Sequence, residues 1–413
     1  MRGTTRWVPW FVALLGVSTL VVPTSTLVVA DSGGALAGTP RARAGMLATG
    51  TAHSCALTTA GSVVCWGRNS NGQLGNSGAR PLDAAQTPAR TANLPNPGRA
   101  LALASGGEHT CALLTTGRVA CWGADSAGQV GNGAGESASV NVPTIVTLPG
   151  GTTATGIAAG SEHSCALLVD GRVSCWGKNA AGQLGNGASL PGASQPSPGS
   201  LAGLPSDDPA TAIDAGGDTT CAVLSSGAVS CWGDDADGQL GDGGGFPGTN
   251  QSTPRSVALP AAAAAVAVGW QSACALLVDA RVTCWGSDAR GLLGDGGDSI
   301  SRSAPTTVVA MAVGDVPTGV TVGAAHACVV LASGGLRCWG DDTFGQLGRN
   351  SANATIGPTC PFGLTSFGNA SCYGDLADPP PSSTTPAIVQ TVGASAISVS
   401  VGFGHTCAVF TTG

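Results

Sequence analysis

The chain of 413 residues almost lacks lysine and tyrosine, with Lys178 and Tyr373 the sole examples of each. Charged residues are 10% and aromatic residues 4%, and nowhere does a basic stripe with interleaved aromatics occur. Affinity for a phosphate backbone needs such a stripe, so nucleic acid is excluded as a partner. Sustained helix is also excluded: there are 65 glycines and no apolar stripe at the helical period. Long apolar runs are missing except from Trp7 to Val22. Arg2 and Arg6 precede that run, and Pro23 and the small-residue approach Val28, Val29, Ala30 follow it. Residues 1–30 therefore read as a secretory signal peptide cleaved before Asp31, with an uncleaved anchor as the competing reading. No other stretch is long and apolar enough to span a bilayer, so no membrane association is expected after cleavage. The formal net charge is −7; residues 1–30 hold two arginines and no acid, which leaves −9 on the remainder. That balance favours solubility and basic partners. Residues 31–44 form a Gly, Ala, Ser and Pro lead-in without periodicity.

Cysteine, in contrast, is plentiful, with 15 residues. Twelve fall as six identically spaced pairs inside a recurring pattern whose best copy is HSCALLVDGRVSCWGKNAAGQLGN from His163. Further copies start at His53, His109, Thr219, Ser272 and His326, and a seventh starts at His405 and stops at its hairpin loop. The protein is therefore expected to be a piece of a longer chain, with Cys407 lacking its strand partner. Self-similarity at a period of roughly 50 residues indicates a solenoid or a propeller.

Each copy specifies a hairpin. Cys165 with Cys175 and Leu167 with Val173 both centre on Asp170, which makes each pair directly opposed across antiparallel strands. Val169, Asp170 and Gly171 form a three-residue loop, with Gly171 at the left-handed position. Gly61, Gly117, Gly227 and Gly334 match it, whereas the fifth copy has Ala280 and should hold a strained backbone there. A glycine-ended strand of alternating small and apolar residues precedes each hairpin, as in Ala264, Val266, Val268. A proline-led strand lies further upstream, as at Pro143, Pro254 and Pro386, where proline suits a sheet edge. Four short strands per period, ordered proline strand, glycine-ended strand, Cys strand and Cys-Trp strand, make an all-β propeller blade. A linear β-solenoid is the alternative.

Glycine, His-Ser, the hairpin turn, Trp-Gly and Gly-Gln-Leu-Gly together resemble the regulator of chromosome condensation repeat family, over residues 45–413. The resemblance implies a seven-bladed propeller of four-stranded blades, here six full repeats and a partial seventh. The paired cysteines depart from the nuclear members and look like a secreted bacterial branch. The family includes a nucleotide exchange factor, β-lactamase inhibitors and light sensors, so the resemblance does not select an activity.

Paired cysteines behind a signal peptide point to disulfides in an oxidising compartment, extracellular or periplasmic. Zinc competes, but its ligand pairs are closer in sequence and need a second pair nearby. The expected bonds are Cys55–Cys65, Cys111–Cys121, Cys165–Cys175, Cys221–Cys231, Cys274–Cys284, Cys328–Cys338 and Cys360–Cys372.

All five histidines, His53, His109, His163, His326 and His405, share one repeat position, with Thr219 and Ser272 in its other two occurrences. A residue repeated round a ring is structural, or else a ligand at the axis. Trp66, Trp122, Trp176, Trp232, Trp285 and Trp339 read as core, with a glycan platform as the rival. Asp234-Asp235-Ala-Asp237 and Asp295-Gly-Gly-Asp298 are turn aspartates rather than full calcium loops. No serine stands in a nucleophile elbow. The expectation is a non-enzyme without metal or cofactor that binds an unidentified protein. A hydrolase or lyase using the axial channel, or an inhibitor of a secreted enzyme, is the alternative. The recognition site is placed in the long connection of residues 349–385, with Phe362, Phe367 and Tyr373 as anchors.

Overall fold

The computed structural model describes residues 47–349 except 59, 78–84, 91–93, 96–97, 136, 189, 200 and 298, then 370–373, 382–389 and 395–410. Each repeat unit folds as a small antiparallel sheet, and the sheets succeed one another around a central axis.

The third unit shows why. Ala154–Ala159, His163–Leu168 and Val173–Gly177 are its strands, and the hairpin register pairs Leu167 with Val173 and Cys165 with Cys175. Leu168 N–H donates to Arg172 O at 2.8 Å, closing a three-residue loop in which Gly171 has φ 79°. In the fifth unit Ala280 adopts φ 63° at the same place, a left-handed conformation that disfavours a Cβ.

Five of the first six units have four strands; in the third, the outer strand is reduced to two isolated bridges, Ser174↔Leu201 and Gly177↔Gln195. The proline-led strand is the outermost one and pairs with the Cys-Trp strand that precedes it, as Gln251–Val257 does with Val229–Gly233. It therefore closes its sheet, whereas the sequence reading had it opening the next. The reason is chemical: proline cannot donate to a second neighbour, and only the outer edge tolerates that.

The seventh sheet differs. Its strands are Ala396–Val401, Thr406–Phe410 and Ala370–Tyr373, the last drawn from the long connection of the sixth unit. Cys372 lies opposite Cys407 and Tyr373 opposite Thr406, the register that Cys175 and Trp176 hold against Cys165 and Ser164. Cys407 thus has a strand neighbour, contrary to the expectation from sequence, and it is disulfide-bonded.

The six other disulfides join directly opposed residues whose Cα atoms are 4.0 to 4.1 Å apart. The expected Cys360–Cys372 bond involves Cys360, which lies outside the described residues.

The core lies between successive sheets. Cys111, Leu113, Val119 and Cys121 of the second unit pack on Ile157, Ala166, Leu168 and Trp176 of the third. Five tryptophans also tie their sheets to the previous one: Trp122, Trp176, Trp232 and Trp285 donate Nε1–H to the carbonyls of Gln73, Gln129, Gln183 and Gln239 at 2.9 to 3.0 Å, and Trp339 to that of Leu292 at 2.8 Å. A Cβ on Gly131 would overlap the Trp176 indole, so the last glycine of Gly-Gln-Leu-Gly is there for close approach. The ring closes where Leu47, Ala56 and Trp66 of the first unit meet Cys407 and Val409 of the seventh sheet.

Candidate site at the mouth of the axial channel

Histidine stabilises the ring. His53, His109, His163 and His326 place Nε2 2.7 to 2.9 Å from the hydroxyls of Thr110, Ser164, Thr220 and Thr406 in the following sheet, and His405 meets Ser54 at 3.0 Å. In the first four, the hydroxyl donates its single hydrogen to a loop carbonyl, that of Gln73, Gln129, Gln183 or Gln346. It can then only accept from the ring, so Nε2 carries the proton and Nδ1 is bare. Those four Nδ1 atoms are buried without a partner. Charging them would place an unsolvated cation in the interior, and burial lowers the pKa of His53, His109 and His326 to about 3 and of His163 and His405 to about 4. Neutral, paired and enclosed, these side chains are structural.

Thr219 and Ser272 replace histidine in two units, and the residues that would receive the bond are Ala273 and Ala327. Donor and acceptor are lost together. The signal is readable in the column after histidine, Ser54, Thr110, Ser164, Thr220, Ala273, Ala327 and Thr406, once adjacent units are compared. At the first of these seams Asp214 Oδ2 accepts from Val268 N–H at 2.7 Å. The Ser272 hydroxyl is buried without a partner.

A channel runs along the axis, lined in every sheet by the glycine that precedes the histidine position and its neighbours. Gly50, Gly106, Gly160, Gly216, Gly269, Gly323 and Gly402 are all present, and the next position is mostly small: Thr51, Gly107, Ser161, Gly217 and Ala324. Two units depart from this with Trp270 and Phe403. They are 40% and 45% exposed, and their rings meet edge to face with centroids 5.3 Å apart and planes at 67°. Phe344, 49% exposed, stands beside Gly404, since a Cβ there would lie 3.3 Å from its ring. The three aromatics come from the fifth, sixth and seventh sheets and share one face of the ring.

Charges on that face are unevenly paired. Lys178 bridges Glu162 at 3.2 Å and Asp218 at 2.8 Å, and although burial opposes it, both carboxylates hold its pKa above the ordinary value. Arg290 pairs with Asp341, and Arg68 with Glu108 at 3.1 Å. Asp234 and Asp237 have no cationic partner among the described residues. Burial raises the pKa of Asp234, and nearby Asp218 and Asp237 raise it further. Burial pushes Asp235 up to about 6. Asp237 accepts from Gln271 Nε2 at 2.7 Å, and Gln271 follows Trp270 in the chain.

The aspartates of the acidic turns serve their own loops: Asp235 Oδ1 accepts from Leu240 N–H at 3.0 Å and Asp295 Oδ1 from Gly297 N–H at 2.8 Å. Among the described residues no cluster of three or more His, Cys, Asp or Glu is arranged to hold a metal ion, and no helix is long and apolar enough to cross a membrane. Phe362, Phe367, Cys360 and Asp298 lie outside the described residues. Tyr373 occupies, in the seventh sheet, the register position that tryptophan has in the others. The Trp270–Phe403 pair was not found from sequence, because its members are far apart in the chain; the signal was a large aromatic in a column otherwise small.

The chain is 34% identical over 269 residues to the human probable E3 ubiquitin-protein ligase HERC6, covering 62% of this chain and 25% of that protein. It is 32% identical over 270 residues to the Arabidopsis thaliana ultraviolet-B receptor UVR8, covering 65% and 58%. It thus spans less than two thirds of the length of either relative. Human WBSCR16 superposes with a TM-score of 0.73 at 19% identity over 91% of this chain and 88% of that one. Yeast RCC1 (Prp20), in its structure with Kap60, gives 0.69 at 21% identity, covering 89% and 80%. The family model of the RCC1-like domain matches residues 28–361, and with the repeated hairpins, the interlocking tryptophans and the closed ring, this chain belongs to the RCC1-like domain family.

Proposed function

We propose that the protein is an exported, disulfide-stapled RCC1-like propeller that binds another protein through the face at the mouth of its axial channel. In this reading residues 1–30 are removed as a signal peptide, residues 31–44 are a lead-in, and residues 45–413 form a ring of seven units. The observation that carries the proposal is the exposed Trp270–Phe403 pair beside Phe344. Exposed aromatics at the centre of a patch are the residues that anchor protein interfaces. The anchors expected from sequence, Phe362, Phe367 and Tyr373 in the connection of residues 349–385, remain part of this proposal. Pairwise cross-strand disulfides suit an oxidising compartment.

The test is capture of partners from culture supernatant by the mature protein. Loss of capture on Trp270→Ala with Phe403→Ala, or on Phe362→Ala with Phe367→Ala, with unchanged melting, is the expected result. Full capture by both folded variants would refute the assignment of this face.

A further inference from the structure

We infer that this face takes a basic segment of its protein partner, with an arginine or lysine side chain laid on the Trp270 indole and its charge directed toward Asp237. The inference rests on the protein-binding reading and adds the chemistry of the guest.

Three features converge on one place. Trp270 and Phe403 form an exposed edge-to-face pair at the channel mouth, and aromatic faces attract cations through their quadrupole, tryptophan most strongly. Gln271, the residue after Trp270, donates its side-chain amide to the Asp237 carboxylate at 2.7 Å, so a negative group is tied to the indole's neighbour in the chain. Asp234 lies beside Asp237, its pKa raised by burial and by the neighbouring carboxylates. The cations on this face are already engaged: Lys178 by Asp218 and Glu162, Arg290 by Asp341. A guest cation would relieve that repulsion and cover the aromatic surface at once. A second copy of the chain is a poor occupant, since the net charge is −7 and two such faces would oppose acid to acid. A purely apolar segment would leave Asp234 and Asp237 with nothing added.

The test uses fluorescein-labelled peptides of equal length and alternating sequence, Arg-Gly, Lys-Gly, citrulline-Gly and Glu-Gly, read by anisotropy at two salt concentrations. Citrulline keeps the shape of arginine without its charge. The Arg-Gly peptide is expected to bind about tenfold or more tightly than citrulline-Gly, with Glu-Gly inert. Trp270→Ala should weaken the Arg-Gly peptide by about tenfold and Trp270→Phe by less, and Asp237→Asn should weaken it and flatten the salt dependence. Equal binding of the arginine and citrulline peptides overturns the inference, as does the absence of binding by any peptide. Arg-Gly binding that Asp234→Asn with Asp237→Asn removes but Trp270→Ala leaves intact also overturns it, since that is diffuse attraction to an acidic surface. If a partner captured through Trp270 is not displaced by the Arg-Gly peptide, the protein-binding reading stands and this inference alone fails.

Discussion

The third and fifth units have the same hairpin and the same register, Cys165 opposite Cys175 and Cys274 opposite Cys284, yet they serve the ring differently. The third has His163, bonded to Thr220 in the next sheet, with Gly171 in its turn and Ser161 at the channel. The fifth has Ser272, Ala280 and Trp270 at those places. Shared residues build the ring. The departures gather in one unit, flanked by the two seams that lack a histidine–hydroxyl bond, and one of them exposes an indole. In a repeat protein, a side chain present in most copies is explained by the contacts between neighbours, whereas a side chain present in one copy calls for a separate explanation.

One separation between these units should appear in acid. The buried histidines have folded pKa values of about 3 to 4, below the ordinary value near 6.5. The unfolded chain therefore binds more protons, and stability that is present above about pH 6.5 is lost as pH falls toward the folded pKa. At pH 5 each histidine should have removed about 2 kcal/mol. Denaturant titration of His163→Ser should show a shallower pH slope by one histidine's share, while Ser272→Ala should leave the slope as it was.

Larger is the contrast between two tryptophans. Trp176 is fully buried, and Trp176→Ala should cost about 3 to 5 kcal/mol. Trp270→Ala should change stability by no more than about 0.5 kcal/mol. Chemical denaturation of both variants measures the difference, and a large loss for Trp270→Ala would make it a packing residue.

The seams separate by a smaller amount. A double-mutant cycle on His163→Ala and Thr220→Val should give a coupling of about 1 kcal/mol, whereas Ser272→Ala with Ala327→Ser should give none. Smallest is the turn: Ala280→Gly relieves a left-handed alanine and should add roughly 0.5 to 1 kcal/mol, whereas Gly171→Ala should lose more, because its Cβ would overlap Pro209. Midpoints of urea unfolding are sufficient to rank them.

Most of the ring was legible in the sequence because its determinants are local. Two cysteine and two apolar positions centred on Asp170 set the hairpin register, and glycine at the turn followed from backbone geometry. The proline strand was recognised as an edge but given to the wrong sheet, since the chain order of strands does not reveal which neighbour a strand pairs with. The origin of the third strand in the seventh sheet was missed, although Ser371-Cys-Tyr-Gly echoes Ser174-Cys-Trp-Gly. The histidine relay and the Trp270–Phe403 pair join residues of different units, and only the ring brings them together.

The account's central claim is that Trp270, Phe344 and Phe403 mark the working face of the ring. Hydroxyl-radical footprinting with a captured partner tests it most directly, using Val169 and Val278 at the hairpin tips of the opposite face as internal references. Protection of the three aromatics with unchanged reactivity at Val169 and Val278 is the predicted result. Protection of the hairpin tips, with Trp270 and Phe403 as reactive as in the free protein, would contradict it.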